Sequence, residues 1–179
     1  MDSTSNVRGR PPFICASVSG ACNTLSTAPD CANMKIATFT GPGDFTVNAV
    51  SGCAADNVVS YMVIAGGGSG GPANQSAGGG AGGFREYKSP VDSYTASPLN
   101  GNPGGTAVTV TAAAFPIVIG AGGTGSGCGN NGSVSTFSTI TSAGGGKGGK
   151  SGGPAGSATG SATGGSGGGG GENRNGSAG

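Results

Sequence analysis

Three stretches of this sequence carry residue types whose spacing could do chemistry. Gly144-Gly145-Gly146-Lys147-Gly148-Gly149-Lys150-Ser151 satisfies the phosphate-binding loop pattern and follows a strand-like segment. That chemistry needs a helix next, because the helix N-terminus holds the phosphate. Gly152-Gly153-Pro154-Ala155-Gly156-Ser157 follows instead and is a poor helix start. The match therefore reads as composition, with Lys147 and Lys150 as same-edge residues that keep a three-residue-per-turn glycine helix soluble. Gly67-Gly68-Ser69-Gly70-Gly71 matches a nucleophile elbow, but the chain has no His to activate the serine. The Gly-x-Gly-x-x-Gly matches also lack a following helix. The seven acids are scattered, and none sits in an apolar segment that would raise its pKa. No catalytic residue, metal site or cofactor is expected, and the chain does not read as an enzyme.

The third stretch is Phe84-Arg85-Glu86-Tyr87-Lys88, which interrupts the glycine with large side chains and has Tyr94 nearby. Two readings stay open for it. Phe84 could cap a glycine bundle while Arg85, Glu86 and Lys88 keep an edge strand soluble. Alternatively Phe84, Arg85, Tyr87, Lys88 and Tyr94 form an exposed contact surface, where Tyr and Arg are the usual anchors. Five cysteines, at 15, 22, 31, 53 and 128, match no tight Cys-x-x-Cys pattern. They read as incidental thiols, or as a Cys15/Cys22/Cys31 staple or metal knot with a fourth ligand from Cys53 or a carboxylate.

The elements that must position these residues are built largely from glycine. With 43 Gly and 10 Pro in 179 residues, low complexity is the default expectation. Against it stands a repeated grammar in which a strand-like apolar segment runs into a glycine cluster. Val58 to Ala65 leads to Gly66–Gly71, Ala112 to Ile119 leads to Gly120–Gly123, and Val134 to Ala143 leads to Gly144–Gly149. Net charge is +1 with 8% charged residues, which leaves no electrostatic footprint for nucleic acid or an anionic membrane. The longest apolar run, Ala112 to Ile119, is far short of the roughly 20 residues that cross a bilayer. The first twenty residues carry no signal-peptide core, so the product is expected to be made and assembled in a cytoplasm.

Residues 1–33 read as a polar N-terminal arm. Residues 34–65 read as a β-hairpin or meander, with Lys35 to Thr40 and Phe45 to Ala49 as partner strands around Gly41-Pro42-Gly43-Asp44. Val134 to Thr141 reads as one further strand. Residues 66–150 form a glycine-rich β domain, and residues 151–179 a Gly/Ser-rich C-terminal segment. The expected class is all-β: short antiparallel strands joined to polyglycine-II-type segments, with little or no helix, in a fibrous homo-oligomer. Energetics makes the oligomer an expectation. Ordering a glycine costs about 1–2 kcal/mol of backbone entropy and a further ~0.5–1 for its extra freedom, whereas a net hydrogen bond returns about 1 kcal/mol. A glycine segment orders only in a packed bundle, beside flanking apolar strands, or beside identical chains.

The run from Lys35-Ile36-Ala37-Thr38-Phe39-Thr40-Gly41-Pro42-Gly43 through Tyr61-Met62-Val63-Ile64-Ala65-Gly66-Gly67-Gly68 carries a resemblance. It continues with Gly78 to Glu86, Phe115 to Gly123 and Ser135 to Gly149. Over residues 34–150, in the same order, the chain resembles the glycine-rich domains of bacteriophage tail fibres and related virion proteins, especially of phages infecting marine cyanobacteria. The resemblance implies a virion structural role, commonly homotrimeric, with glycine helices packed into a rigid sandwich and loops presented to a host-surface glycan or protein. It casts the N-terminal arm, with Pro11, Pro12 and Phe13, as the device that attaches to other virion proteins. The chain departs from that pattern by ending in glycine at residue 179 without a distal receptor-binding domain, and by its three arm cysteines. A self-assembling extracellular filament is the alternative. An RNA-binding glycine-rich protein is disfavoured, because a single Arg8-Gly9-Arg10 offers little to neutralise phosphates.

Overall fold

A computed structural model describes residues 12–29, 31–71, 77–102, 104–125, 129–149, 165–170, 176 and 178. Among the described residues, eleven short strands and one 3-10 turn, Ala54–Asn57, give an all-β structure in which every sheet is antiparallel. The strands are β1 Cys15–Val18, β2 Thr24–Ala28, β3 Cys31–Thr38, β4 Gly43–Ala49, β5 Val58–Val59 and β6 Tyr61–Ile64. They continue with β7 Phe84–Tyr87, β8 Val108–Thr109, β9 Ala114–Val118, β10 Ser135–Phe137 and β11 Ile140–Ser142. No described helix is long and apolar enough to cross a membrane.

The main sheet runs β1-β4-β9-β10-β11, and separate two-stranded ladders join β2 to β3, β5 to β8 and β6 to β7. Alternation places Phe115 and Ile117 of β9 inward, while Ala114, Pro116 and Val118 face out. Pro116 is tolerated because β10 reaches only Ile117 and Val118, so nothing there needs its missing N–H. Val47, Val63, Val108, Val110, Ile117, Phe137 and Ile140 form the core. Phe137 stands edge-on to Phe45, Phe115 and Tyr61, at 6.3, 6.3 and 5.6 Å between ring centres.

Two expectations are corrected. The strands flanking Gly41-Pro42-Gly43-Asp44 do not form a hairpin: β3 pairs with β2, and β4 pairs with β1 and β9. The crossing between them is fixed by Asn23. Its Oδ1 accepts from the N–H groups of Thr40 and Gly41, and its Nδ2 donates to the Ser19 and Pro42 carbonyls. Gly43 lies against the Ser19 carbonyl, where any Cβ would collide, so β4 is steered onto β1. Likewise Val134 to Thr141 is a hairpin rather than one strand. Ser138, at φ +52°, and Thr139 turn the chain so that Phe137 faces Ile140. Both are buried, which rewards the turn more than continued extension would.

Beyond the strands lie six glycine-rich segments: g1 (65–71), g2 (77–83), g3 (119–125), g4 (129–134), g5 (143–149) and g6 (165–170). Three β-ladders continue into them without a change of register. Ile64 pairs with Phe84, and the next bonds are Ala65 N–H to Gly83, Gly68 to Gly80 and Gly71 to Ala77. Val118 pairs with Thr136 and leads to Ser133 N–H on the Ala121 carbonyl; Ser135 pairs with Ser142 and leads to Gly132 N–H on Gly145. What changes is the period. In g1 the donors of Ala65, Gly68 and Gly71 go to g2, while those of Gly66 and Ser69 go to g4, so each direction recurs every third residue.

The same recurrence links g2 to g5 (Ala77 to Gly149, Gly80 to Gly146, Gly83 to Ala143), g5 to g1 (Gly145 to Gly66, Gly148 to Ser69) and g5 to g6 (Gly146 to Ser166, Gly149 to Gly169). Ser166 and Gly169 of g6 donate to Ala81 and Gly78 of g2, and Gly123 of g3 donates to Gly67 of g1. This connectivity sorts the segments into two rows, g3-g1-g2 and g4-g5-g6, with bonds within and between rows. Glycine is required where segments meet, within a row and between rows: a Cβ on Gly66, Gly68, Gly132, Gly144 or Gly145 would collide with a carbonyl of a neighbouring segment.

Candidate functional site

The side-chain-rich patch is built on β7 and the loop that follows it. The β6–β7 register sets Tyr61 opposite Tyr87, and their rings stack at 6.3 Å with an interplanar angle of 27°. Tyr61 Oη donates to the Thr106 carbonyl at 2.5 Å. Lys88 Nζ lies 5.7 Å from the centre of the Tyr94 ring, a cation–π contact, and its backbone N–H is held by Asn100 Oδ1 at 2.8 Å.

Phe84, Arg85, Tyr87, Lys88 and Tyr94 are all half-buried, so the patch is less exposed than its composition suggests. Glu86 departs further: it is only 5% exposed, which removes it from any solubilising role. Its carboxylate accepts from Ser97 N–H, at 3.1 and 3.3 Å to the two oxygens, and from Ser97 Oγ. Its carbonyl accepts from Gly101 N–H at 3.1 Å. Glu86 therefore anchors the 89–101 loop over β7, a buried anion satisfied by hydrogen bonds. A second tie runs through Ser60, whose Oγ donates to Asp92 and accepts from Ser89 N–H at 2.7 Å. Arg85 donates from Nη1 to the Phe84 carbonyl at 2.9 Å, and its Nε is buried without a partner against Gly104.

Two tyrosine hydroxyls here are shifted in the same direction. Burial pushes the Tyr94 hydroxyl above 10.0, with the charges of Glu86 and Asp92 adding to it and a hydrogen bond with Ser60 opposing. Burial likewise raises Tyr61, helped by neighbouring Tyr87 and opposed by the Thr106 bond. The arrangement offers two aromatic faces, a cation over one of them and loop hydroxyls, which suits contact with a polar ring or a peptide. Ser60, Asp92 and Ser97 are the members that sequence reasoning missed. They lie in ordinary Ser/Pro loop composition, and only the fold brings them to β7.

The other candidates separate. Pro12 is exposed and its carbonyl accepts from Ser51 Oγ at 2.9 Å; Phe13 is 50% exposed; Pro11 lies outside the described residues. Cys15, Cys22 and Cys53 carry free, exposed thiols, while the side chain of Cys31 and all of Cys128 lie outside the described residues. Among the described residues no group of three His, Cys, Asp or Glu side chains could hold a metal ion. In the phosphate-loop match, the N–H groups of Gly145, Gly146, Gly148 and Gly149 are all spent on carbonyls of other segments, and Lys150 and Ser151 lie outside the described residues. In the elbow match, Ser69 Oγ is buried and engaged with the backbone of Asn130.

No curated protein and no solved structure matches the chain. A family profile described as a glycine-rich domain does, over residues 39–179, a span that takes in β4 through g6 and so both the strands and the glycine rows. The chain belongs to that glycine-rich domain family.

Proposed function

We propose that this chain is a structural subunit of a virion appendage, a phage tail fibre or similar, and that g1 to g6 are polyglycine-II helices forming its rigid element. The single observation that carries the reading is the three-residue recurrence of hydrogen bonds in g1, g2, g4, g5 and g6, all but the last joined directly to a strand. A flexible linker would have no reason to spend its amides this way. Such a block resists bending without needing a large apolar core, which suits a rod that transmits contact and performs no chemistry. Three chains would form the closed homo-oligomer. The arm bearing Pro11, Pro12 and Phe13 would meet other virion proteins. The patch of Phe84, Arg85, Tyr87, Lys88 and Tyr94 would face a host-surface glycan or protein. Assembly would take place in the host cytoplasm.

Electron microscopy of the purified chain paired with its native mass tests this. Discrete rods of three chains are expected. Open-ended filaments would instead favour a self-assembling extracellular polymer, joined head to tail without closure. A flexible monomer would sink both.

A further inference from the structure

The two glycine rows differ in how their outward donors end. In g5, two sets of N–H groups go to g1 and g6, and the Lys147 N–H goes to the Asn131 side chain at 2.9 Å. All three directions of that segment are filled, the last by a side chain that seals it. In g1, at the centre of the other row, the first two sets go to g2 and g4, but nothing among the described residues accepts from Gly67 or Gly70. The carbonyl of exposed Gly122 likewise receives no proton.

Sterics sharpen the difference. A Cβ on Gly67, Gly70 or Gly122 would find its nearest neighbour at 3.6, 3.5 and 3.7 Å, and one on Gly78 would meet nothing within 4 Å. None of these four has a positive φ. The fold of the single chain therefore does not require glycine there, unlike at Gly66 or Gly68. Exposed Ala81 and Ala121 lie among them, and Ile64 and Met62, 54% and 62% exposed, extend the face from β6. No charged residue occurs in g1, g2 or g3.

We infer that the g3-g1-g2 face is where a second copy of this chain packs, backbone against backbone, with the Gly67 and Gly70 amides as donors and the Gly122 carbonyl as acceptor. Hydrogen-bond complementarity selects the occupant. A partner segment with side chains on its facing side cannot bring its own backbone to about 2.9 Å from a bare backbone. An extended glycine segment can reach it, and the same face of another copy presents matching donors and acceptors. The face works as an unpaired sheet edge does, except that its open direction is normal to a row of segments. The inference rests on the homo-oligomer reading above and locates one of its contacts.

The test is native mass and sedimentation of the full chain, of the double variant Gly70→Leu/Gly78→Leu, and of Val134→Glu on the opposite row. Wild type is expected to self-associate, Val134→Glu to do so equally, and the double variant to remain folded by circular dichroism while its association weakens at least about tenfold. An associating double variant would overturn the assigned face and leave the appendage reading standing. A monomeric wild type would overturn both. Should the double variant fail to fold, amide exchange in wild type decides. Protection of Gly67 and Gly70 that rises with concentration supports the face, and concentration-independent exchange overturns it.

Discussion

Ile64 and Phe84 face each other in an ordinary β-ladder; four residues on, Gly68 and Gly80 face each other in the same register. The first pair belongs to a region ordered by side chains, around Phe45, Phe115 and Phe137. The second belongs to a region where side chains would be in the way, and order comes from amides bonded to carbonyls on neighbouring segments. The strand region supplies what the glycine region lacks: a fixed starting register and apolar burial that offsets the entropy of ordering glycine. One region should fail when carbon is removed, the other when carbon is added.

The largest effect is expected from removing carbon. Phe137→Ala takes away the ring shared by three aromatic contacts in a buried site, and should cost about 3–5 kcal/mol in urea unfolding. Because β10 feeds g4 directly, amide exchange in g4 should speed up as well. A loss confined to the strands would break the idea that they hold the glycine register. The converse change is Gly68→Ala, whose Cβ would strike the Gly146 carbonyl and lie 2.8 Å from that of Gly145. It should cost on the order of 1–3 kcal/mol, read as a lower midpoint in the same titration. An alanine there without penalty would mean that the rows are not packed as closely as their bonds imply.

Glu86 sharpens the comparison from a different side, since it is a polar group doing in the loop what the amides do in the rows. Glu86→Ala removes the acceptor of Ser97 and releases the loop over β7, at about 1–3 kcal/mol. Proteolysis within residues 89–101 should accelerate more than global unfolding would explain.

Much of the fold was legible because the strand-to-glycine junctions at Ala65, Ile119 and Ala143 are local in sequence, and period-two alternation announces each strand before the glycine begins. The partner choice of β3 and β4 was not legible. It depends on Asn23, distant in sequence, and on a close approach of Gly43 to Ser19 that no local pattern encodes. The turn at Ser138 was hidden because a serine at positive φ lacks the Asn-Gly signal of a tight hairpin. In the candidate patch, aromatic and cationic residues stood out against glycine, but the burial of Glu86 did not, because its partner Ser97 is one serine among many. The similar glycine content of the two rows, 14 and 12, also concealed their difference, since only geometry separates glycines the fold demands from those it merely permits.

The smallest effects probe that last distinction and the tyrosines. Burial holds Tyr61 and Tyr94 protonated above their ordinary 10.0, so their contribution to stability is complete below that pH and fades as pH rises through the higher folded values. Melting temperature should fall above pH 10, and less steeply in Tyr61→Phe and Tyr94→Phe. Gly125→Ala adds carbon where a Cβ meets nothing within 4 Å and φ is not positive. It should stabilise by about 0.4–1 kcal/mol, because alanine has less backbone freedom to lose on folding. Opposite signs for Gly125→Ala and Gly68→Ala, measured in one urea series, would establish that position in the rows, and not glycine content, decides where this chain tolerates a side chain.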